Sequence, residues 1–285
     1  MDQLTTGTLL AVTVGNTRTR LGLFRPAATR GAELVESASH SNSDLAGIAK
    51  QARELLVSDH GSSIVMSSVN NKVADQLEKL LRVETGEEVY RFGRDLAIPL
   101  RNTLDDDTTV GQDRLLCALA AFSKAKQACV IVDAGTAITV DFIDGEGIFQ
   151  GGVIAPGLHM MLASLHEHTA ALPQLAFTRP DAARGPFGKD TKHAMLLGAQ
   201  AAAQGLVRLV VERYAEAYEA YPQIIATGGD AQMLFENDEV VEHVVADLQL
   251  LGIYEACRRN LDADASDDMI ASHNDDADDD SDDET

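Results

Sequence analysis

One short pattern occurs twice in the sequence, about 120 residues apart. Residues 12–21 read V-T-V-G-N-T-R-T-R-L, and residues 132–141 read V-D-A-G-T-A-I-T-V-D. In each copy an apolar strand leads into a turn that contains Gly and Thr, and a second strand follows. The repeat therefore predicts two lobes of related topology that face each other.

The segments around each copy alternate between strand and helix patterns. The first half contains the strand patterns 9–14, 20–24, 33–39, 64–69 and 89–92 and the helix patterns 43–56 and 73–81. The second half contains the strand patterns 129–133, 138–142 and 224–227 and the helix patterns 113–125, 158–167, 191–218 and 250–258. This order predicts an α/β fold with mixed sheets flanked by helices. A chain of 285 residues is long enough for two lobes, which we predict at 1–112 and 113–260.

The charge and cysteine content exclude several classes of protein. The net charge of −22 argues against nucleic acid or an anionic membrane surface as a general partner. There is no run of about 18 apolar residues and no secretory signal, so we expect no membrane span and a cytoplasmic location. Three scattered cysteines predict buried thiols rather than disulfides or a zinc site.

The last segment, 261–285, is strongly acidic. From Asp262 to Thr285 it contains eleven Asp, one Glu, no Lys or Arg and no aromatic residue. Such a composition predicts a disordered tail. The tail could serve to keep the protein soluble or could bind a basic partner, and the sequence leaves both open.

Three glycine turns each follow a predicted buried strand. They lie at 15–17, 135–137 and 228–230. Glycine lets backbone N–H groups approach a polyphosphate closely, and Thr adds a hydroxyl donor. None of the three is a Walker A loop or a G-x-G-x-x-G that opens a helix, so P-loop and Rossmann folds are disfavoured.

Two aspartates are candidates for the chemistry. Asp113 lies at a predicted helix start, where a carboxylate complements the helix dipole. Alternatively, it acts as a base for a hydroxyl proton while Arg114 holds an anionic group of the substrate. Asp133 ends an apolar strand, where a carboxylate is costly unless it is paired or binds a cation.

A set of short motifs in a fixed order resembles the type III pantothenate kinases, a family that also includes Bvg accessory factor-like proteins. The motifs are G-N-T (15–17), G-Q-D-R (111–114), D-A-G-T-A-I-T-V-D (133–141), G-G-V-I-A-P-G (151–157), L-P (172–173), G-K-D-T (188–191) and T-G-G-D (227–230). The resemblance covers about residues 9–258. It implies a duplicated actin-like (ribonuclease H-like) two-lobed fold and ATP-dependent phosphorylation of pantothenate, the first step of coenzyme A biosynthesis. It also implies a cytoplasmic homodimer that uses a divalent cation, Mg²⁺, and a monovalent cation, K⁺ or NH₄⁺.

The resemblance also implies a role for each matching residue. Asp113 would be the general base, and Asp133 would hold the monovalent cation. The residues implied to bind pantothenate are Leu104, Gly111, Gln112, Asp113, Arg114 and Thr191. The residues implied to bind ATP are Thr13, Val14, Gly15, Asn16, Thr17, Arg18, Thr19, Arg20, Thr136, Gly228 and Gly229.

The sequence departs from the family pattern at two positions. The family's first motif is usually D-x-G-N-T, and Thr13 stands where the Asp is expected; Leu104 stands where a Tyr is frequent. A neutral hydroxyl cannot replace a charge that places metal-bound phosphates, and one of Asp105, Asp106 and Asp107 is a candidate substitute. Two hypotheses follow: a working pantothenate kinase, or an impaired member that binds nucleotide or pantothenate as a regulatory protein.

The histidines near the predicted site do not form a metal pattern. His166 and His168 are not on one helical face. We therefore expect them, together with His159 and His193, to be surface or packing residues.

Overall fold

The structure is a computed structural model that describes residues 7–27, 31–56 and 62–275, with side chains through Asp262. The strands in this part of the chain are β1 (Leu9–Val14), β2 (Arg18–Pro26), β3 (Ala32–Ser41), β4 (Ser63–Ser68), β5 (Val89–Arg91), β6 (Cys129–Ala134), β7 (Ala137–Ile143), β8 (Phe149–Pro156), β9 (Gln223–Thr227) and β10 (His243–Val244). The α-helices are α1 (Leu45–Leu56), α2 (Asn71–Thr85), α3 (Gln112–Ala125), α4 (Leu158–Glu167), α5 (Thr191–Tyr218), α6 (Ala231–Phe235) and α7 (Leu248–Asp275).

The chain divides into two compact units. Unit 1 comprises Met1–Pro99 and Ile253–Thr285, and unit 2 comprises Leu100–Gly252. The predicted boundary at residue 112 lies 13 residues beyond the observed one at Pro99. The loop after Pro99 belongs to unit 2 because Thr103 N donates to Phe149 O of β8 (3.1 Å). The last helix belongs to unit 1 from Ile253 onward, where Tyr254 stacks on Phe24 of β2 with ring centroids 5.1 Å apart.

Each unit contains a five-stranded mixed sheet. The strand order is β3-β2-β1-β4-β5 in unit 1 and β10-β9-β6-β7-β8 in unit 2. In both sheets the first three strands are antiparallel neighbours, and the fourth and fifth run parallel to the first. The predicted duplication is therefore confirmed at the level of strand order and direction. The predicted α/β architecture, with two mixed sheets flanked by helices, is confirmed as well.

Apolar patterning explains how helices cover the sheet of unit 1. All six residues of β1 are buried, as a central strand covered on both faces requires. Helices α1 and α2 contribute Ile48, Ala52 and Leu77 to a core that also contains Leu10 and Val12 of β1. Helix α2 begins at a cap in which Asn70 Oδ1 accepts from Val73 N (3.3 Å) and ends at Gly86, whose φ is +76°.

The sheet of unit 2 has two apolar faces of different composition. One face packs on α4 and α5 and contains Val130, Val132 and Val140. The other face, with Ile131 and Ile143, packs on α3. Because β-strand side chains alternate, residues 131 and 133 of β6 share the α3 side of the sheet.

Several elements of the described residues differ from the sequence predictions. Strands β8 and β10 and helix α6 were not predicted, since glycine-rich and very short segments carry little periodicity. A disordered tail was predicted from residue 261 onward. The structure instead continues helix α7 through this segment to Asp275. Residues 262–275 contain no Gly or Pro that would end a helix. The rest of that prediction, 276–285, lies outside the described residues.

Helix α5 is, within the described residues, the one helix long and apolar enough to cross a membrane by length and composition. The sequence predicted no span because α5 has no unbroken apolar run. Ala203, Val207 and Val211 of α5 are buried in the core of unit 2. A core helix of this length passes the same test, so α5 is weak evidence for a membrane.

Truncating a core side chain of β1 or β6 should destabilise the protein strongly. Leu10 and Ile131 are fully buried. We expect Leu10→Ala and Ile131→Ala each to lower the free energy of unfolding by about 2–5 kcal/mol. Val83→Ala is the control: Val83 is 81% exposed, so its effect should stay within about 0.5 kcal/mol. Urea denaturation measures all three, and equal midpoints for the core variants and the control would contradict the assigned cores.

Candidate active site

Helix α3 brings two charged residues of its first turn to the second sheet. It begins at Gln112, directly after Gly111, and packs on the sheet face that contains Ile131 and Ile143. Asp113 and Arg114 therefore lie at the end of this face rather than in the apolar core. The predicted cluster at 111–114 is a helix N-terminus, as expected from the sequence.

Arg114 forms a buried ion pair with Asp141 of β7. Its Nε donates to Asp141 Oδ1 (2.9 Å) and Oδ2 (3.2 Å), and its Nη2 also donates to Oδ1. Thr139 Oγ1 donates to Asp141 Oδ2 (3.1 Å), and the ring of Phe149 lies 5.8 Å from the guanidinium carbon. The Asp141 side chain is 1% exposed and that of Arg114 14%. Asp141 is the last residue of the D-A-G-T-A-I-T-V-D motif, but the sequence alone predicted no role for it.

Burial and ion pairing shift the pKa of each member of this pair in opposite directions. Burial disfavours the charged guanidinium, but the hydrogen bonds and attraction from Asp141 outweigh it and raise the pKa of Arg114. Burial raises the pKa of Asp141, and the bonds from Arg114 and Thr139 offset part of that shift. Removing one partner would leave the other charge buried and unpaired, which is strongly destabilising.

Asp113 is a partly buried carboxylate beside this ion pair. Its Oδ1 accepts a hydrogen bond from Arg114 N (2.9 Å). Burial raises the pKa of Asp113, while the amide and charge of Arg114 offset part of the shift. A carboxylate with a raised pKa is a better proton acceptor than an ordinary one, because its pKa is closer to the pH at which the enzyme works.

Asp133 lies on the same side of the sheet as Asp141. In the strand register it is opposite Thr139 of β7 and Thr227 of β9, and Thr139 in turn donates to Asp141. Asp113 and Asp133 thus both lie on the face of unit 2 that α3 covers. Asp133 is the last residue but one of β6 and therefore lies near the carboxyl end of this central strand.

Gly228 leaves a small space beside the Asp133 carboxylate. A Cβ at Gly228, whose φ is +96°, would lie 2.3 Å from Ala134 O and 2.4 Å from Asp133 Oδ1. A carboxylate oxygen and a carbonyl oxygen therefore converge where only glycine fits. Oxygen ligands of this kind suit a hard cation. Across the described residues, no group of three or more His, Cys, Asp or Glu converges as a metal site.

The glycine turn at residues 135–137 packs so closely against Gly157 that no side chain fits at position 157. A Cβ at Gly157 would lie 2.1 Å from Gly135 O and 2.6 Å from Thr136 O. Gly157 N donates to Thr136 O (3.1 Å), and Gly135 N donates to Ala137 O (3.0 Å). The turn that contains Thr136 is therefore fixed by backbone contacts to the start of α4.

The turn after β9 carries Gly228, Gly229 and a partly buried aspartate. Asp230 N donates to Ala134 O (2.9 Å), which holds this turn against the end of β6. Burial raises the pKa of Asp230, and the nearby His159 offsets part of that shift. A Cβ at Gly229 would meet no other atom within 4 Å, so this position is open to a side chain.

Thr191 is the exposed first residue of α5. The helix is capped by Asp190, whose Oδ1 accepts from His193 N (2.8 Å), and Arg184 pairs with Asp190 Oδ2 (2.8 Å). His193 is buried, as a packing residue would be. Within the described part of the chain, no side-chain hydrogen bond or ion pair joins Thr191 to residues 111–114.

Leu104 packs on the core next to α3, beside Gly151 of β8. The aspartates that follow it are exposed. Asp106 caps a 3₁₀ turn, with its Oδ1 accepting from Thr108 Oγ1 (2.6 Å), and Asp107 Oδ2 accepts from Asn102 Nδ2 (3.3 Å). The bonds from Thr108 lower the pKa of Asp106.

In unit 1 the first glycine turn joins β1 and β2. Asn16, Thr17 and Arg18 are exposed, whereas Thr19 is buried. Asn42 holds the turn: its Nδ2 donates to Gly15 O (2.9 Å), and its Oδ1 accepts from Thr19 Oγ1 (2.8 Å). Asn42 could not be identified from the sequence, because it is 27 positions from Gly15.

Thr13 is 3% exposed in the centre of the sheet of unit 1. It is opposite Arg20 of β2 and Ser67 of β4 in the strand register. Paired residues on adjacent strands point to the same face. An aspartate at position 13 would therefore lie beside the Arg20 position on that face.

Comparison with known proteins decides the family. The model of the type III pantothenate kinase family matches residues 9–213. The chain belongs to the type III pantothenate kinase family. A type III pantothenate kinase of Rhodospirillum rubrum is 31% identical over 256 residues, covering 88% of this chain and 98% of the relative. The corresponding protein of Syntrophotalea carbinolica is 28% identical over 248 residues, covering 86% and 96%.

A solved structure supports the fold of this family member. The crystal structure of a conserved Baf family protein of Campylobacter jejuni superimposes with a TM-score of 0.55 at 19% identity, covering 89% of this chain and 99% of that one. At this identity the likeness concerns the fold alone.

Substituting Gly228 should disturb the packing around Asp133, whereas substituting Gly229 should not. Gly228→Ala places a Cβ against Ala134 O and Asp133 Oδ1 at a positive φ, so we expect a loss of about 1–3 kcal/mol in unfolding free energy. Gly229→Ala is the matched control, since no atom lies within 4 Å. Differential scanning calorimetry compares the two, and equal Tm values would contradict the described packing.

Proposed function

We propose that this family member transfers the γ-phosphoryl group of ATP to the primary hydroxyl of pantothenate and releases ADP and 4'-phosphopantothenate. This is the first committed reaction toward coenzyme A. The family match over residues 9–213 supports the activity. The observation that carries it in the structure is Asp113, a partly buried carboxylate of raised pKa in the G-Q-D-R segment.

Asp113 acts as the general base in this proposal. Its carboxylate accepts the proton of the pantothenate hydroxyl as the oxygen forms a bond to the γ-phosphorus. The bond between that phosphorus and the bridging oxygen breaks, and the electron pair leaves with ADP. In such transfers the protein chiefly positions the reactants and neutralises charge.

Neighbouring residues of unit 2 bind the acceptor substrate. Gly111 and Gln112 lie on either side of the start of α3 and present backbone groups there. Arg114 is a fixed cation suited to an anionic oxygen pair. We further propose Leu104 and Thr191 as pantothenate contacts, on the family motif alone.

The glycine turns bind ATP in this proposal. Residues 13–20 form one phosphate loop, whose exposed members are Asn16, Thr17 and Arg18. Thr136, Gly228 and Gly229 form the other contacts. We assign the monovalent cation, K⁺ or NH₄⁺, to Asp133, where carboxylate and carbonyl oxygens converge beside Gly228. A divalent cation such as Mg²⁺ would neutralise charge on the phosphates.

The substitution at Thr13 allowed two hypotheses, a working kinase and an impaired regulatory protein. The family match favours the working kinase. Assembly as a homodimer and a cytoplasmic location stay predictions. A role for the acidic segment after residue 261 also stays open.

The direct test uses the purified full-length chain. It is incubated with ATP, Mg²⁺, K⁺ and pantothenate, and 4'-phosphopantothenate is measured by mass spectrometry. We expect turnover within about a hundredfold of the ordinary kinase range of about 1–100 s⁻¹. Binding of ATP and pantothenate with no product would refute the proposed activity.

Replacing Asp113 should separate catalysis from stability. Asp113→Asn removes the proton acceptor and should lower kcat by about 10²–10⁴-fold. The folded-state pKa is raised, so the ionised carboxylate costs stability at pH values above its unfolded pKa. The variant should therefore keep or raise the Tm at pH 7. Glu212→Gln, an exposed carboxylate of α5, is the control and should leave both unchanged.

The pH profile of the wild-type enzyme provides a second readout of Asp113. Below its pKa Asp113 is protonated and cannot accept a proton, so kcat/KM should fall as the pH is lowered through that raised pKa. Asp113→Asn should remove this limb from its residual activity. An acid limb that persists unchanged in the variant would contradict the assignment.

Restoring a carboxylate in β1 should increase the rate. Thr13→Asp places a negative charge in the first phosphate loop, and we expect kcat to rise about tenfold or more, since one preorganised electrostatic group typically supplies 10²–10³. Thr13→Asn is the matched control of equal shape without charge. If Asp and Asn give the same kcat as Thr13, the charge at this position does not limit the reaction.

A further inference from the structure

The contacts of Arg114 use only one edge of its guanidinium group. Nε and Nη2 form the side-on edge, and both donate to Asp141. Among the described residues Nη1 has no hydrogen-bond partner. A guanidinium has five N–H donors in a rigid fork, so the end-on edge, formed by Nη1 and the second hydrogen of Nη2, remains available. That edge has the geometry to hold a pair of anionic oxygens.

We propose that Asp141 is a positioning residue for the substrate: it fixes Arg114 by its side-on edge so that the end-on edge binds an anionic oxygen pair. This inference rests on the proposed function. We commit to the carboxylate of pantothenate as the bound group. The γ-phosphoryl oxygens of ATP have the same chemistry, and the experiment below distinguishes the two sources.

Several contacts hold the Asp141 carboxylate in place, so that it can in turn hold Arg114 in one orientation. Thr139 Oγ1 donates to Asp141 Oδ2 (3.1 Å) from the same face of β7. On β8 a Cβ at Gly152 would lie 2.3 Å from Asp141 Oδ1, so only glycine leaves room for the carboxylate. The carboxylate is thus confined by β7 and β8.

The face of the guanidinium is restrained as well. The ring of Phe149, which is fully buried, lies 5.8 Å from the guanidinium carbon. The side chain retains 14% exposure, so the group is held in a fixed plane but is not sealed off. An arginine that is fixed before the substrate arrives loses less conformational entropy on binding.

A purely structural ion pair is the competing explanation, since Arg114 and Asp141 also tie α3 to β7. The two explanations differ in what the loss of Asp141 does. A structural pair affects stability and all kinetic constants together, whereas a positioning residue affects the substrate whose anionic group Arg114 binds. The position of Arg114, next to the proposed base, makes the second effect measurable.

The experiment compares two acceptors in the full-length enzyme. The second acceptor is pantothenol, in which a CH₂OH group replaces the carboxylate of pantothenate. We expect Asp141→Asn to raise the KM for pantothenate about 10- to 100-fold, as for a lost charge-assisted hydrogen bond. The KM for pantothenol should stay near the wild-type value. If instead the KM for ATP rises with both acceptors while the KM for each acceptor stays near the wild-type value, the anionic pair belongs to the phosphoryl group, and the positioning role still holds.

Asp238→Asn is the matched control. The Asp238 side chain is 5% exposed and pairs with Arg208 (3.2 Å), whose side chain is 52% exposed, so this variant also removes a buried carboxylate of unit 2 from an arginine but should cost less stability. It should leave the KM for both acceptors near the wild-type value. The positioning role is overturned if folded Asp141→Asn shows wild-type constants, or if its KM rises equally for pantothenate and pantothenol. Absence of turnover in the wild-type enzyme would instead refute the proposed function.

A second variant covers the case in which Asp141→Asn does not fold. Thr139→Val removes only the hydroxyl that donates to Asp141 Oδ2 and leaves the ion pair. We expect a smaller rise, about 2- to 10-fold, in the KM for pantothenate, with no change for pantothenol. A folded Thr139→Val enzyme with unchanged constants would contradict the proposal.

Discussion

The ion pair between Arg114 and Asp141 is the interaction on which the candidate site depends. It joins the first turn of α3 to the middle of β7 and places Asp113 at the edge of the same sheet face. Charges this deeply buried are tolerated because each has a partner and further hydrogen bonds. The pair therefore fixes the helix that carries the proposed base, and α3 cannot rotate without leaving a charge unpaired.

The surrounding strands reinforce this arrangement through close backbone contacts. Gly152 leaves space for Asp141, Gly157 lies against the turn of Thr136, and Gly228 lies against Asp133. At each position a side chain would displace an oxygen atom. The glycines therefore serve packing, in addition to the phosphate approach that the motifs predicted. The same strand order in unit 1 places the turn at Gly15 at the end of β1, where Asn42 fixes it.

Much of this could be predicted from the sequence, because apolar strands, glycine turns and helix starts are local signals. The duplicated hairpin predicted both mixed sheets, and the ordered motifs identified the family. Strand β8 was missed because its glycines weaken the alternation. Asn42 and the partnership of Arg114 with Asp141 depend on residues that are far apart in the chain, and no local pattern encodes such pairs. Residues 262–275 are helical although their acidic composition predicts disorder; the only local signal for this helix is that the segment contains no Gly or Pro.

The central claim is that Asp113 receives the proton of the pantothenate hydroxyl. A crystal structure of the enzyme with pantothenate and a non-hydrolysable ATP analogue tests this most directly, through the distance from the primary hydroxyl oxygen to the Asp113 carboxylate. If Asp113 is the base, we expect a distance of about 2.6–3.2 Å between these two groups. Pantothenate bound away from residues 111–114, or with its primary hydroxyl on a different carboxylate, would contradict it.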